Sequence, residues 1–426
     1  MTQERSAGAS WGTFLIVLIA GIAYSISLMA IPTAMIYVAD TFGGDMVGAG
    51  WLMSWNSVAG TILALFTATI QSKIGPKNMI IIALACILVS DVMVVMTADI
   101  TIAFVGRFIF GFANGLIATA GPTFVTILFS DPTKRGMPNA IWTMWIALGG
   151  VLINFLAPFL MVPGEGVNFL TGGPNLDWHP LFWFGIAFAA VALVLVIVGV
   201  RVPKAELMAA VAGSDNVKIS DAFKNGYVWL CFVMVLCFAF SFSCYTSEVV
   251  AYLQAAVGMD PAAAQSWNGI LNIIGIAAGL IIGFILNKVS DHTKVLVAIF
   301  VLTVAACLAA FAFSTVTLAI CSMFFFGLAV NMVMPAIFTN VQWVSKSPAV
   351  IAAAFGICAI ASNGGGIPAA PVMGAMIEAG VDWFMLGVPP AVVSAVGLVC
   401  AIVFSIKLGR TSREGIAAAR EADGAK

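Results

Sequence analysis

Twelve runs of apolar residues, each of 20 residues or more and set apart by short polar breaks, take up most of this chain. They lie at 11–38, 47–71, 78–97, 100–129, 137–161, 180–200, 226–253, 261–286, 294–313, 316–344, 349–377 and 383–407. The hydrocarbon core of a bilayer is about 30 Å thick, and roughly 20 apolar residues of helix cross it. No water is present there to satisfy peptide groups, so runs of this kind must be helical. The predicted fold class is an all-α membrane protein with twelve transmembrane helices, and the lipid bilayer is its first partner. Composition agrees: 62% of the 426 residues are hydrophobic and 9% are charged, against about 25% charged in soluble domains. A net charge of −1 with no long basic run gives no reason to expect a nucleic-acid partner. All eight cysteines fall inside the runs and read as small apolar packing residues. The N-terminal MTQERSAGAS shows no cleavage site of the signal-peptide kind.

Charge sorts cleanly between the breaks. The odd-to-even connections carry Asp40, Asp45, Asp99, Glu165, Asp177, Asp260, Glu378 and Asp382, and no Lys or Arg. Seventeen of the eighteen Lys and Arg residues fall on the other side. By the positive-inside rule that side is cytoplasmic, together with both termini. The expected location is a bacterial inner membrane. Only Arg107 lies inside a run.

The longest polar stretch between runs, 202–224, divides them six and six. The expected organisation is a first six-helix bundle at 1–201, a linker at 202–224, a second bundle at 225–408 and a tail at 409–426. The halves repeat at an offset of about 215. Lys73 in IQSKIGPKN corresponds to Lys288 in ILNKVSDHTK, and Phe110-Gly111 to Phe326-Gly327. Gly60, Ala64 and Ala68 correspond to Gly275, Gly279 and Gly283, a small-residue stripe of the kind that lets helices approach closely. Two parallel six-helix repeats are a transporter architecture.

With these motifs on the page, the chain resembles the major facilitator superfamily over essentially its whole length. The family's loop motif after span 2 survives as Lys73, Gly75 and Lys77, with Ser72 where its carboxylate would stand. The second copy keeps Lys288 and has Asn287 at that place. The span 4 motif survives as Arg107, Gly111 and Gly115. In DWHPLFWFGIAF, His179 and Pro180 replace the Arg-Trp of the span 6 entry. The span 5 antiporter signature keeps Gly149, Gly150 and Pro158 but lacks its terminal glycines. The resemblance implies two pseudo-symmetric halves, transport by alternating access, and a cavity lined by spans 4 and 7 among others.

Charge in the bilayer centre costs at least about 2.5–3.5 kcal/mol, so such residues are functional candidates. There are three: Asp91, Arg107 and Glu248. Asp91 and Arg107 each lie eight residues from Asp99 on adjacent antiparallel runs, hence at equal depth, about 12 Å below the turn at ~1.5 Å per residue. They are expected to pair, either as a fixed pin between spans 3 and 4 or as a working pair that opens on protonation or on capture of an anion. Glu248 reads either as an interfacial carboxylate reaching outer water or as a proton site. At the repeat offset Arg107 maps to Met323, Asp91 to about Cys307 and Glu248 to about Pro32, so the fold does not need the charges. Neutral cavity candidates are Tyr24, Trp51, Trp55, Asn56, Asn114, Trp142 and Trp145 in the first half. Tyr245, Asn268, Asn272, Asn331 and Asn363 are those of the second, and all twelve weigh against helix-packing roles. Gly364, Gly365 and Gly366 with Pro368 and Pro371 make span 11 a weak helix, for close packing or for flexing. Gly121-Pro122 and Pro335 are similar points in spans 4 and 10.

The chain has no phosphate-binding GxxxxGK[ST] loop, and His179 and His292 are too far apart to share a metal. Nothing here predicts a cofactor, a metal or an enzyme. The expectation is a monomeric secondary transporter of a small-molecule substrate with H⁺ as coupling ion. Uptake of a small organic solute, a carboxylate among the options, stands beside efflux of drugs or metabolites and a non-transporting receptor or scaffold.

Overall fold

A computed structural model describes residues 7–129, 136–201, 223–345 and 347–424. The linker apart from Phe223 and Lys224, together with Arg5, Lys134, Arg135, Lys346 and Lys426, lies outside the described residues. The chain forms two compact units, residues 1–216 and 217–426. Ten described helices are long and apolar enough to cross a membrane, or eleven with one bent pair.

In the first unit, α1 (Ala7–Thr33) contains Pro32 and breaks at Ala34 before α2 (Met35–Thr41). Next come α3 (Met46–Ala64), α4 (Thr67–Val95) and α5 (Ile100–Leu128). The bent pair, at 46°, joins α6 (Gly136–Thr143) to α7 (Trp145–Leu160). A hairpin of β1 (Val162–Val167) and β2 (Pro174–Asp177) precedes α8 (His179–Gly199). No alternation in the sequence announced those strands. The hairpin is tied to α2 by Asn175 Nδ2 donating to Asp40 Oδ2 at 2.6 Å and Asn168 Nδ2 donating to Ile36 O at 3.2 Å.

In the second unit, α9 (Gly226–Ala255), α10 (Pro261–Lys288) and α11 (His292–Ala309) are unbroken. The next run splits at Met332 into α12 (Val316–Asn331) and α13 (Val333–Val341). Another splits at Ile367–Pro368 into α14 (Pro348–Gly366) and α15 (Ala369–Glu378). A short α16 (Trp383–Leu386) leads into α17 (Val388–Gly424). Residues 409–424 of the expected tail continue α17. Its residues stay helical because they pack: Ser412 is fully buried, and Gly415 lies so close under Trp343 that an added Cβ would be 2.2 Å from the ring.

The expected second span, 47–71, departs most from a plain crossing. Its helix α3 carries Ser54, Asn56 and Ser57 among small residues and is not among the ten apolar helices. It tolerates this polarity by packing along α5. At Gly111 on α5 an added Cβ would stand 2.2 Å from the Asn56 carbonyl oxygen, so the backbones meet where only glycine fits. Gly111→Val should therefore cost about 1–3 kcal/mol or more, as overpacking does. The detergent-purified variant should show an early-melting or aggregated profile by size exclusion after heating. The second half's small-residue stripe behaves differently. Gly275 abuts Asn331, but Gly279 and Gly283 have nothing within 4 Å of an added Cβ. Among the described residues those two turns have no neighbour within 4 Å, so the close approach seen there is at Gly275, and Gly279→Ala is the neutral control.

Aspartates mark one end of the helices for a local reason. Asp45, Asp99, Asp260 and Asp382 are N-caps, accepting from Gly48, Thr101, Ala262 and Phe384 amides respectively. They satisfy orphan donors at helix starts. At the other end, Gly75 adopts φ 77°, ψ 159° within α4, a region open to glycine, and Pro76 restarts the helix. Residues 67–74 thus extend the second run and those from Pro76 form the third. Lys77 then donates to Ile197 O at 3.0 Å and Val200 O at 2.8 Å, the C-terminal carbonyls of α8. With Ser72 in place of the motif's carboxylate and bonded only to Thr69 O, Lys77 is used to close a helix end. A cation there contributes about 0.3–1 kcal/mol through the helix dipole alone. Lys77→Met should lower the midpoint of thermal unfolding and Lys77→Arg should largely restore it. Lys73 and Lys288 are exposed, and Lys288 Nζ lies 4.1 Å over the Phe284 ring.

Candidate functional site

Helices α4 and α5 run antiparallel from the turn capped by Asp99, and they bring Asp91 and Arg107 to one level. Both side chains are fully buried. The direct ion pair expected from their equal depth is not formed. Depth follows from helical rise, but lateral distance depends on what packs between the helices, and α1 does so here. Ser27 on α1 stands between the two charges. Its hydroxyl donates to Asp91 Oδ2, and its carbonyl accepts from Arg107 Nη1 at 3.5 Å. Arg107 Nε donates to Leu52 O on α3 at 3.1 Å. Gly185 on α8 completes the wall, since a Cβ there would lie 3.1 Å from Ser27 Oγ and 3.5 Å from Asp91 Oδ2. Five helices thus build one small polar centre.

Its valences are only partly filled. Asp91 Oδ1 and Arg107 Nη2 have no hydrogen-bond partner. Buried polar groups are nearly always bonded, and each exception calls for an explanation. A carboxyl oxygen and a guanidinium nitrogen left open on the two charges that Ser27 holds, one by its hydroxyl and one by its carbonyl, are equipped to take a proton and an oxyanion.

An aromatic ladder backs the guanidinium. Arg107 Cζ lies 4.1 Å above the Phe110 ring, a cation–π contact. Phe110 stacks on Tyr24 with centroids 4.6 Å apart and planes 9° from parallel. Tyr24 meets Trp145 at 5.5 Å, and Trp145 stacks on Trp142 at 5.6 Å. Trp142 in turn covers Gly121, where an added Cβ would come within 1.9 Å. Tyr24, Trp142 and Trp145 are buried in this conformation, with exposures of 1%, 4% and 6%. Gly121 is a packing glycine. Trp55 is half-buried beside Trp51, Phe104 and Phe108.

The second unit repeats the ladder's centre without its charge. Tyr245 on α9 stacks on Phe326 on α12 at 3.9 Å. Gly327 abuts Leu271, as Gly111 abuts Asn56. The Tyr–Phe stacks place Tyr24 and Tyr245 in correspondence, an offset of 221. Three residues on, Ser27 corresponds to Glu248, so the linear mapping of Glu248 to about Pro32 is corrected. The first helix of each unit is out of step with the fourth because the intervening segments differ in length. Glu248 is fully buried and neither carboxyl oxygen has a partner, which overturns the interfacial reading. At the places of Asp91 and Arg107 stand Cys307 and Met323, also fully buried.

The candidate amides take a third course besides cross-helix bond and ligand contact. Asn272, Asn331 and Asn363 donate to the carbonyl four residues back in their own helices, at 2.9, 2.8 and 3.1 Å. Such back-bonding satisfies one donor locally. Asn56 is buried and accepts from Ser57 Oγ at 3.3 Å, while Asn114 and Asn268 are half-buried and buried. In span 11, Gly365 presses on α9, with an added Cβ 2.3 Å from Leu236 O, so that glycine packs. Sequence reading missed Ser27, because a serine in an apolar helix is commonplace. It also missed Asp291, which caps α11 and faces Arg413 Nε of α17 at 3.7 Å. His179 Nδ1 lies 2.6 Å from Asp177 Oδ1.

Comparison with known proteins places these features in context. Residues 13–370 match the model of the Major Facilitator Superfamily. The MFS-type efflux pump MMF1 of Pseudozyma antarctica (strain T-34) is 24% identical over 197 residues. That match covers 45% of this chain and 33% of the pump, so the chain spans about a third of that relative's length. A crystal structure of a variant of the nucleoside transporter NupG superposes with a TM-score of 0.74 at 18% identity, over 92% of this chain and 99% of that one. A D-xylose–proton symporter superposes at 0.71 and 14% identity, over 92% and 97%. These likenesses show the fold.

Proposed function

The chain belongs to the Major Facilitator Superfamily, and from that premise we propose that it is a secondary transporter working by alternating access, coupled to protons. We infer uptake of a small organic solute, with a carboxylate as its recognised group. The observation that carries this reading is the buried Asp91–Ser27–Arg107 centre with one open atom on each charged side chain.

The chemistry runs through those atoms. Deprotonated Asp91 and cationic Arg107 balance each other across Ser27. A proton on Asp91 cancels its charge and leaves Arg107 without a counter-ion, in surroundings where an uncompensated cation is costly. A substrate carboxylate then restores the balance at Nη2. Proton and anion thus favour each other's binding, which is the requirement for symport. This step moves one proton with one monocarboxylate and no net charge. Removing either partner weakens binding of the other by the same factor.

We place the basic end of the helices and both termini in the cytoplasm of a bacterial cell, and read the protein as a monomer in its inner membrane. Counterflow in proteoliposomes, screened over a panel of labelled monocarboxylates and other small organic solutes, tests the transport reading. Exchange of a carboxylate in counterflow, with pH-gradient-driven accumulation of the same compound that a protonophore reduces to simple equilibration, is the expected result. Failure to exchange any compound would favour a receptor or scaffold role. The efflux pump among the relatives supports a second reading, export by proton antiport. Accumulation in everted vesicles, rather than in right-side-out ones, would select it.

A further inference from the structure

We propose that Glu248 is a second proton-carrying site, held as a neutral carboxylic acid in this conformation, so that each unit contributes one titrating carboxyl to the cycle. The proposal builds on the transport reading above. It starts from position. Glu248 occupies in the second unit the place of Ser27, the residue that holds Asp91 and Arg107 in the first. There, however, Cys307 and Met323 hold the places of those charges, both fully buried.

Its surroundings leave an anion without support. Both Oε atoms are buried without a hydrogen bond of good geometry, and the polar side chain beside them is the neutral Ser247, whose hydroxyl donates to Cys244 O at 3.1 Å. The elements packed on α9 are α10, α12, α13, α14, α15 and α17. Their cations are Lys288 at the far end of α10 and the basic segment of α17 from Lys407 onward, and α11, which brings Cys307, carries Lys294 beside His292 in its first turn. These sit at the end where α9 begins, and Glu248 lies 22 residues along α9 from Gly226, about 33 Å at ~1.5 Å per residue. The remaining ionisable groups on those elements near the membrane layers are Cys321, Cys358, Cys400 and Glu378, and on α9 itself Cys231, Cys237, Cys244, Tyr245 and Tyr252. None carries positive charge. Asp260 and Asp382 cap helices at the same end as Glu248, and would add only like charge. An isolated buried carboxylate is so costly that the group takes up a proton instead. When alternating access opens this layer to water, the acid ionises, Glu–COOH giving Glu–COO⁻ and a proton to water. Ser27 cannot do this, so the two units differ in kind at one position.

The consequence is electrical. The Asp91–Arg107 step is charge-balanced, and a proton on Glu248 adds one positive charge per cycle. Uptake by the wild type should therefore respond to an imposed inside-negative potential as well as to a pH gradient. Glu248→Gln, which copies the neutral acid, and Glu248→Ser, which copies the first unit, should both lose the potential response and keep the pH-gradient response. Retention of the potential response in both variants, or its absence from the wild type, would overturn the proposal. A wild type that ignores the pH gradient as well would overturn the transport reading separately. Infrared spectroscopy of the purified protein decides Glu248 without transport. In an Asp91→Asn background, a protonated-carboxyl C=O band near neutral pH should vanish on Glu248→Gln. A band that persists, or that was never present, would refute the neutral acid.

Discussion

Arg107→Met abolishes both accumulation and counterflow while the purified protein remains folded. The substitution is the one the chain itself supplies, since Met323 holds the matching place in the second unit and is fully buried there. Folding should survive because methionine fills much of the volume over Phe110 and brings no polar atom to satisfy. Removing Arg107 also takes away a buried cation whose Nη2 is unbonded, so the desolvation cost it imposed disappears. What is lost is the positive charge that would meet the substrate. A fall of at least ~100-fold in initial rate, about 2.7 kcal/mol in barrier height, is expected. Arg107→Lys keeps the charge but not the planar fork that reaches Leu52 O and Ser27 O together, and should retain only part of the activity. Size-exclusion and thermal-unfolding profiles like those of the wild type, with no exchange of substrate, are the expected pair of results. Normal transport by Arg107→Met would end the assignment of this residue to substrate.

Asp91→Asn separates coupling from binding. Asparagine imitates the protonated acid in shape and still accepts from the Ser27 hydroxyl. The variant is thus fixed in the state that leaves Arg107 free for an anion. Counterflow, which needs no net proton movement, should persist at near wild-type rate. Accumulation against a gradient should fall to what the Glu248 proton alone sustains, and to equilibration in the Asp91→Asn/Glu248→Gln double variant, and the pH dependence of exchange should flatten. Ser27→Ala should fall between the two, because the Ser27 carbonyl still holds Arg107 while Asp91 loses its donor. Wild-type proton-driven accumulation by Asp91→Asn, or any by the Asp91→Asn/Glu248→Gln double variant, would show that the coupling carboxyl lies elsewhere.

Much of this protein was legible before any coordinates. The apolar runs follow from the bilayer's demand for bonded peptide groups, and ten described helices, or eleven with the bent pair, are long and apolar enough to cross it. The break between the units falls within the polar stretch that divides six runs from six. The three buried charges were visible as exceptions to a rule, which is the easiest signal for a sequence to carry. Their level was also visible, since helical rise is constant and Asp91 and Arg107 are equidistant from one turn. Other features had no such signal. The hairpin at 162–177 is short, rich in glycine and proline, and gains its order by bonding to α2. The span 8 glycines share a spacing, but only Gly275 meets a neighbour.

What the sequence determined by itself is therefore what depends on distance along a helix: which segments cross, how deep a residue sits, and which ends carry cations or caps. What only the tertiary structure decided is what depends on rotation about helix axes and on which helix lies between two others. Ser27 acquired its role because α1 passes between α4 and α5, and Glu248 acquired its counterpart because a Tyr–Phe stack recurs at a shifted offset. Contacts across helices are set by packing of many side chains at once, and no single spacing along the chain encodes them.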